Sequence, residues 1–195
     1  MRITGLAVMI VVAAAGAWAG VSAAEPRQLT ICVETVGGNA AWQSETEAKR
    51  VASGIFAGIG VQIQCRGPSK CPSEAIFVSF SSQIPASVQS TALAYALPYE
   101  GTHIVVFLDR VQQTAPGAAG RLLGYTLAHE ITHILEGVAR HSKSGIMKAH
   151  WDIADHSQMR QGQLVFAPED VYLIYHGLDQ RESGLVASAS AVQAK

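Results

Sequence analysis

From residue 28 onward, apolar positions alternate between short dense runs and stripes spaced three or four apart. Gln28 to Val36 (QLTICVETV) is apolar and β-branched and predicts a strand, broken by Gly37, Gly38 and Asn39. Trp42 to Ile59 predicts a helix, with Val51, Ile55, Phe56 and Ile59 at helical spacing and Gly60 at its end. Val61 to Cys65 and Ala75 to Phe80 read as a second and third strand. Thr91 to Leu97 sends Leu93, Tyr95 and Leu97 one way and small alanines the other, and Pro98 ends it, the pattern of an edge strand. His103 to Leu108 (HIVVFL) is nearly all apolar and predicts a central strand covered on both faces.

A long helix is predicted from Ala118 to Glu136. Leu123, Leu127, Ile131, Ile134 and Leu135 form one stripe, and Gly137 sits where a helix-ending residue belongs. A loop runs on to Trp151. The last helix is expected to begin near Ala167-Pro168-Glu169-Asp170, with proline and acids in its first turn, and to end at Gly177. The Ala/Ser-rich tail, residues 182–195, is expected to be disordered.

The amino terminus changes the picture of where the chain works. Met1 and Arg2 precede an apolar run from Leu6 to Val21, and Ser22 and Ala24 stand where a signal peptidase reads small residues. Residues 1–24 are therefore expected to be a signal peptide cut near Ala24–Glu25, placing the mature chain in a secreted or periplasmic setting; the alternative is an uncleaved anchor. Roughly 170 residues remain, enough for one domain with a proper core, residues 25–181. No second long apolar run follows, so no stable membrane insertion is expected after cleavage.

The formal net charge is −1 and no Lys/Arg block stands out, which argues against nucleic acid as a partner. Of the three cysteines, Cys65 and Cys71 flank a short Arg-Gly-Pro-Ser-Lys loop and are expected to pair in an exported chain. Cys32, in an apolar strand, is expected to be a buried free thiol.

The candidate chemistry lies in Ala128-His129-Glu130-Ile131-Thr132-His133, an H-E-x-x-H pattern on the long helix. Two histidines four apart project from consecutive turns of one face and reach one metal ion together, on the side away from Leu127 and Ile131. Glu130, beside the first ligand, can contact water at the metal without ligating it. The chemistry this set points to is metal-assisted hydrolysis. Zinc brings the pKa of water to about 7 and polarises a carbonyl, and Glu130 acts as general base. A third protein ligand is needed. Glu136 lies about 10 Å along the helix axis from His129 and converges poorly. His141, after Gly137, is preferred, with Glu169, Asp152, His150 and His156 as the alternatives.

The stretch His129 to Met147, HEITHILEGVARHSKSGIM, resembles the metzincin metallopeptidases and, within them, the matrixin-like branch. Gly137, His141, Ser142 and Ile146-Met147 look like that family's glycine, third ligand, following serine and methionine turn. Phe166 to Gly177 looks like the matrixin closing helix. Gly137 comes four residues after His133 and His141 four after Gly137, where the family has three each time, so the third ligand sits two residues late. The resemblance spans roughly residues 28 to 180. It implies a zincin-like α+β (α/β) fold: a twisted, mixed five-stranded sheet with an antiparallel edge strand, two long helices, and a small C-terminal subdomain with one helix. It also implies a Zn²⁺ cofactor on His129, His133 and His141, a hydrophobic floor at Met147, and a protein or peptide substrate added as a strand along residues 91–97. His150 is the nearest candidate for a further transition-state stabiliser. No acidic loop suggests calcium. The activity expected is endopeptidase cleavage. The alternatives are a zincin with an acidic third ligand acting on peptidoglycan or small peptides, and a secreted zinc-binding domain without turnover.

Overall fold

The computed structural model describes residues 26–34, 39–86, 88–89, 91–97 and 100–193, with side chains through 184 and omitting those of residues 39 and 40. The expected signal peptide and the last two residues of the first expected strand lie outside the described residues.

Among the described residues, five strands and five α-helices follow in the order β1 (Arg27–Val33), α1 (Asn39–Ala57), β2 (Val61–Arg66), β3 (Ile76–Phe80), β4 (Ala94–Ala96), β5 (His103–Val106), α2 (Leu108–Thr114), α3 (Ala119–Glu136), α4 (Ile153–Gln161) and α5 (Pro168–Gln193). The sheet order is β2-β1-β3-β5-β4; all neighbours are parallel except β4, which runs antiparallel to β5 on the edge. This is the mixed five-stranded sheet with an antiparallel edge strand that the resemblance implied.

One face of the sheet carries the core. Leu29, Ile31, Val33, Val61, Ile63, Ile76, Val78, Ile104 and Val106 alternate onto it and are buried beneath α1 and α3. The two helices press together through glycine. A Cβ on Gly124 would stand 2.5 Å from the Val51 Cβ, and one on Gly120 would stand 2.6 Å from Glu47. Ala94 and Ala96 register with Val106 and Ile104, so the small side of β4 is the side turned to α3. The opposite face is more open. His103 is exposed and Val105 half-buried, and His103 stacks on Phe77 at 5.5 Å. The apolar run of β5 is thus covered by helices on one face only. Its density reflects a short strand whose apolar run continues into Phe107 and Leu108, where α2 begins.

The same alternation corrects the disulfide. Cys65 registers with Ile31 on the α1 side of the sheet, whereas Cys32, the next residue along β1, points to the other face. Cys71 follows the 3-10 turn Pro68–Lys70 back to that other face and bonds Cys32, leaving Cys65 as an exposed free thiol. The short loop between Cys65 and Cys71 therefore does not close on itself.

The helical content also differs. The part after α3 carries two helices, not one. Asp152 and Asp155 form a reciprocal capping box that starts α4, and Gly162, in the left-handed region, closes it. Nor does α5 stop at Gly177; it runs to Gln193, so residues 182–193 of the tail expected to be disordered continue the helical backbone. Gly177 is there for packing, because a Cβ would meet the Leu135 carbonyl oxygen at 1.9 Å. Along its length α5 is tied across the end of the sheet. The Tyr175 hydroxyl donates to the Ile59 carbonyl (2.6 Å), and Arg181 donates to the Gly101 carbonyl (2.7 Å) and to that of Glu74. Among the described residues no helix is long and apolar enough to cross a membrane.

Candidate metal centre

The centre is built on the middle of α3 and on the segment that follows it. His129 and His133 leave α3 one turn apart, and both are largely buried, at 8% and 7% exposure. Gly137 takes a positive φ of 68°, a conformation glycine adopts without strain, and its N–H donates back to the His133 carbonyl (3.0 Å). That reversal brings the Val138 carbonyl under the His133 ring, whose Nδ1–H donates to it at 3.3 Å. The chain then passes Ala139 and Arg140 and delivers His141.

The methionine turn closes the other side. The Ser142 N–H donates to the Met147 carbonyl (2.8 Å), and the Lys148 N–H to the Gly145 carbonyl (3.3 Å). Gly145 has φ 77°, and a Cβ on it would stand 2.4 Å from the Val165 carbonyl oxygen, so the turn admits only glycine there. Ile146 and Met147 are fully buried, and the Ile146 carbonyl accepts from His129 Nδ1–H at 2.8 Å and from the Trp151 indole N–H at 3.1 Å. The Trp151 ring stands edge-on to His129 at 5.6 Å.

The three imidazoles converge. Their centroids are 4.7 Å (His129–His133), 5.3 Å (His129–His141) and 5.0 Å (His133–His141) apart, and one nitrogen from each falls within 4.8 Å of the others. The two-residue delay of His141 is absorbed by the turn after Gly137, so the ring still arrives. Asp152, His150, His156 and Glu169 are outside this cluster. His150 and His156 line the cleft in front of it, Asp152 caps α4, and Glu169 sits in the first turn of α5.

The electrostatics suit a cation. Burial, and then the neighbouring His133, lower the His129 pKa to about 3; burial, and then His141, lower that of His133 to about 4. Burial likewise lowers the pKa of His141, with His150 and Arg140 adding to it. The histidines are therefore neutral near pH 7. Because a carbonyl only accepts, the Ile146 and Val138 carbonyls favour the proton on Nδ1 of His129 and His133, the tautomer that leaves a lone pair on each Nε2 for a metal. Those two Nε2 atoms stand 3.0 Å apart. Two donors bound to one tetrahedral zinc, at about 2.0–2.1 Å each, would be roughly 3.3 Å apart. The donor set, its tautomers and its spacing thus fit a zinc ion.

Glu130 is buried (7% exposed), and desolvation raises its pKa to about 8 against the opposing pull of the Ala96 N–H on β4. A cleft of about 590 Å³ opens over the centre, bordered by β4 along Leu93, Ala94, Tyr95 and Ala96 and by Trp151 opposite.

No family model and no curated protein matches the sequence. Among solved structures, archaemetzincin from Methanopyrus kandleri is similar, with a TM-score of 0.52 at 13% identity, over 82% of this chain and 99% of that one. The chain has the archaemetzincin fold. A second archaemetzincin, from Archaeoglobus fulgidus and complexed with malonate, aligns with a TM-score of 0.48 at 12% identity, over 75% of this chain and 100% of that one. At this identity the likeness is one of fold, and the chemistry rests on the residues of this chain.

The structure brings together the three histidines that the sequence singled out and buries Met147 beside them. Sequence reasoning missed Trp151, Arg140 and Asp170. Trp151 shares an acceptor with His129, and Arg140 and Asp170 hold the segment around His141. The one signal for Asp170 was its place in the acidic first turn of the last helix, which the capping of that helix already explained.

Proposed function

We propose that this chain is a zinc-dependent metallopeptidase of metzincin type, matrixin-like in its methionine turn and closing helix, that cleaves peptide bonds internally in protein substrates outside the cytoplasm. The observation that carries the reading is the convergence of His129, His133 and His141, with the Nε2 atoms of the first two 3.0 Å apart and His141 closing the third side.

In this reading His129, His133 and His141 hold Zn²⁺. When bound, zinc supplies Lewis acidity, making water a nucleophile near neutral pH and polarising the scissile carbonyl. Glu130 takes the proton from the attacking water and delivers it to the leaving amine. With a cation held by the three histidines, the Glu130 carboxylate would be favoured in its ionised form and could act as base. The substrate lies extended along β4. The Leu93 carbonyl accepts from the Phe107 N–H and the Leu97 N–H donates to the His103 carbonyl, so the peptide groups of Ala94 and Ala96 face the free side; the Ala96 N–H is taken by Glu130, and the Ala94 groups and the Ala96 carbonyl stay open to strand addition. Buried Met147 floors the site behind Ile146.

Export is supported by the amino-terminal pattern of residues 1–24 and by the Cys32–Cys71 disulfide, which belongs to an oxidising compartment. Mass spectrometry of the exported protein should find Glu25 as its first residue; a retained Met1 would argue for an anchor.

The test is a pair of variants assayed for zinc content and for cleavage of casein. Glu130→Gln is expected to keep its zinc and lose about 10²- to 10⁴-fold in rate. His141→Ala is expected to lose both metal and activity. Cleavage by Glu130→Gln at the wild-type rate would overturn the mechanism. A wild-type protein that neither carries nor takes up zinc would overturn the whole reading.

A further inference from the structure

The three histidines are not held alike. His129 and His133 each have Nδ1 anchored on a backbone carbonyl, but the exposed His141 makes no side-chain hydrogen bond to any described residue. What restrains His141 must act through the chain on either side of it, and both neighbours converge on a single carboxylate. Arg140 Nη2 donates to Asp170 Oδ1 at 2.7 Å, and its Nη1 donates to Ser142 Oγ at 3.1 Å. Ser142 Oγ in turn donates to the same Asp170 oxygen. The other oxygen, Oδ2, accepts from the Ala167 N–H at 3.1 Å, which fixes the carboxylate at the start of α5. The Asp170 side chain is fully buried and Arg140 mostly so, and Arg140 Nε also lies 3.3 Å from Glu136.

A fully buried aspartate bound to an arginine adds little net stability, since the desolvation of such a pair cancels much of its attraction. Here its two partners flank the one metal-facing histidine that lacks an orienting bond of its own. We propose that Asp170 is a positioning residue, which through Arg140 and Ser142 holds His141 in reach of the metal shared with His129 and His133. This rests on the zinc reading above and assigns a role to a residue that neither touches the metal nor lines the cleft. It also accounts for how a ligand displaced by two residues keeps its place. The longer segment is clamped on both sides of His141 rather than shortened.

The experiment measures zinc affinity by chelator competition, the visible spectrum of the Co²⁺-substituted protein, and the melting temperature of the metal-free protein. It compares wild type with Asp170→Ala, Arg140→Lys, Ser142→Ala and His141→Ala. Loss of a partner that orients a ligand typically weakens metal binding about 10- to 100-fold. Asp170→Ala is expected to fall in that range, with a Co²⁺ spectrum displaced toward that of His141→Ala. Arg140→Lys and Ser142→Ala, which each remove part of the clamp, are expected to show smaller shifts in the same direction. If Asp170→Ala does not fold, these two decide the matter. Variants that melt earlier as apoprotein yet bind zinc within twofold of wild type, with an unchanged Co²⁺ spectrum, would show a purely structural role and overturn the inference while leaving the zinc reading intact. Failure of wild type itself to bind zinc overturns both.

Discussion

Gly177 of α5 passes so close to Leu135 of α3 that a Cβ on the glycine would stand 1.9 Å from the Leu135 carbonyl oxygen. Leu135 is two residues beyond His133, so this contact seats the closing helix against the turn that carries the metal-facing histidines. Backbone on both sides leaves nothing to rotate away. Gly177→Ala is expected to force the helices apart and destabilise the protein by about 3 kcal/mol or more. Urea denaturation measures it, and a loss below about 0.5 kcal/mol would show that α5 shifts freely.

Metal should stabilise the fold. Zinc at 100 times its dissociation constant adds about 2.7 kcal/mol, equivalent to a rise of roughly 5–10 °C in melting temperature for a domain of this size. The rise is expected to vanish on adding a chelator and to be small in His133→Ala. An equal rise in that variant would place the ion elsewhere.

Trp151 reports on the same centre. Its ring lies 5.6 Å from that of His129. Co²⁺ added to the apoprotein is expected to quench tryptophan emission, and Trp151→Phe to lose most of that response, since Trp42 on α1 is 59% exposed and does not line the cleft. Quenching unchanged in Trp151→Phe would contradict the placement.

Glu136 links stability to pH. Burial, opposed by Arg140 and aided by Asp170 and Glu169, raises its pKa from 4.5 to about 7. The folded state therefore favours the protonated form. The stability this group contributes is full below pH 4.5 and is lost as pH rises through 7. Glu136→Gln does not titrate, so its stability relative to wild type is expected to grow between those values and level off above, by about 1–3 kcal/mol. Denaturation at pH 4.5 and pH 8 checks the sign, and a gain confined to low pH would reverse it.

The cysteines offer a direct check on topology. Under native conditions one thiol, Cys65, is expected to react with a maleimide, and peptide mapping should find Cys32 joined to Cys71. Removing that bond by Cys71→Ser should cost about 3–4 kcal/mol if loop entropy dominates. A Cys65–Cys71 peptide would contradict the strand register.

Read from the chain alone, the positions of β1, β2, β3, β5, α1 and α3 were legible because each carries a dense apolar run or a stripe at one period. The histidine pair was legible for a related reason: helical geometry alone puts residues four apart on one face, whatever else the chain does. His141 was preferred for its place after Gly137, where the chain can bend back, and Met147 was reached through resemblance. Their arrival at the centre depends on the positive φ of Gly137 and on the hydrogen bond from Ser142 to Met147, neither of which has a period to detect. The short α2 and α4 escaped because each is held by an end effect, the exit from β5 in one case and the Asp152–Asp155 box in the other, and not by an amphipathic stripe. Which cysteines pair was decided by which face of the sheet each one meets. That is set by register between strands whose pairing is long-range, as is the convergence of Arg140 and Ser142 on Asp170 across 28 or more residues. Local pattern, acting within a few turns of chain, determined the elements and the first two histidines of the cluster; the support of His141 and the disulfide were left to contacts that exist only once the sheet and α5 have closed around them.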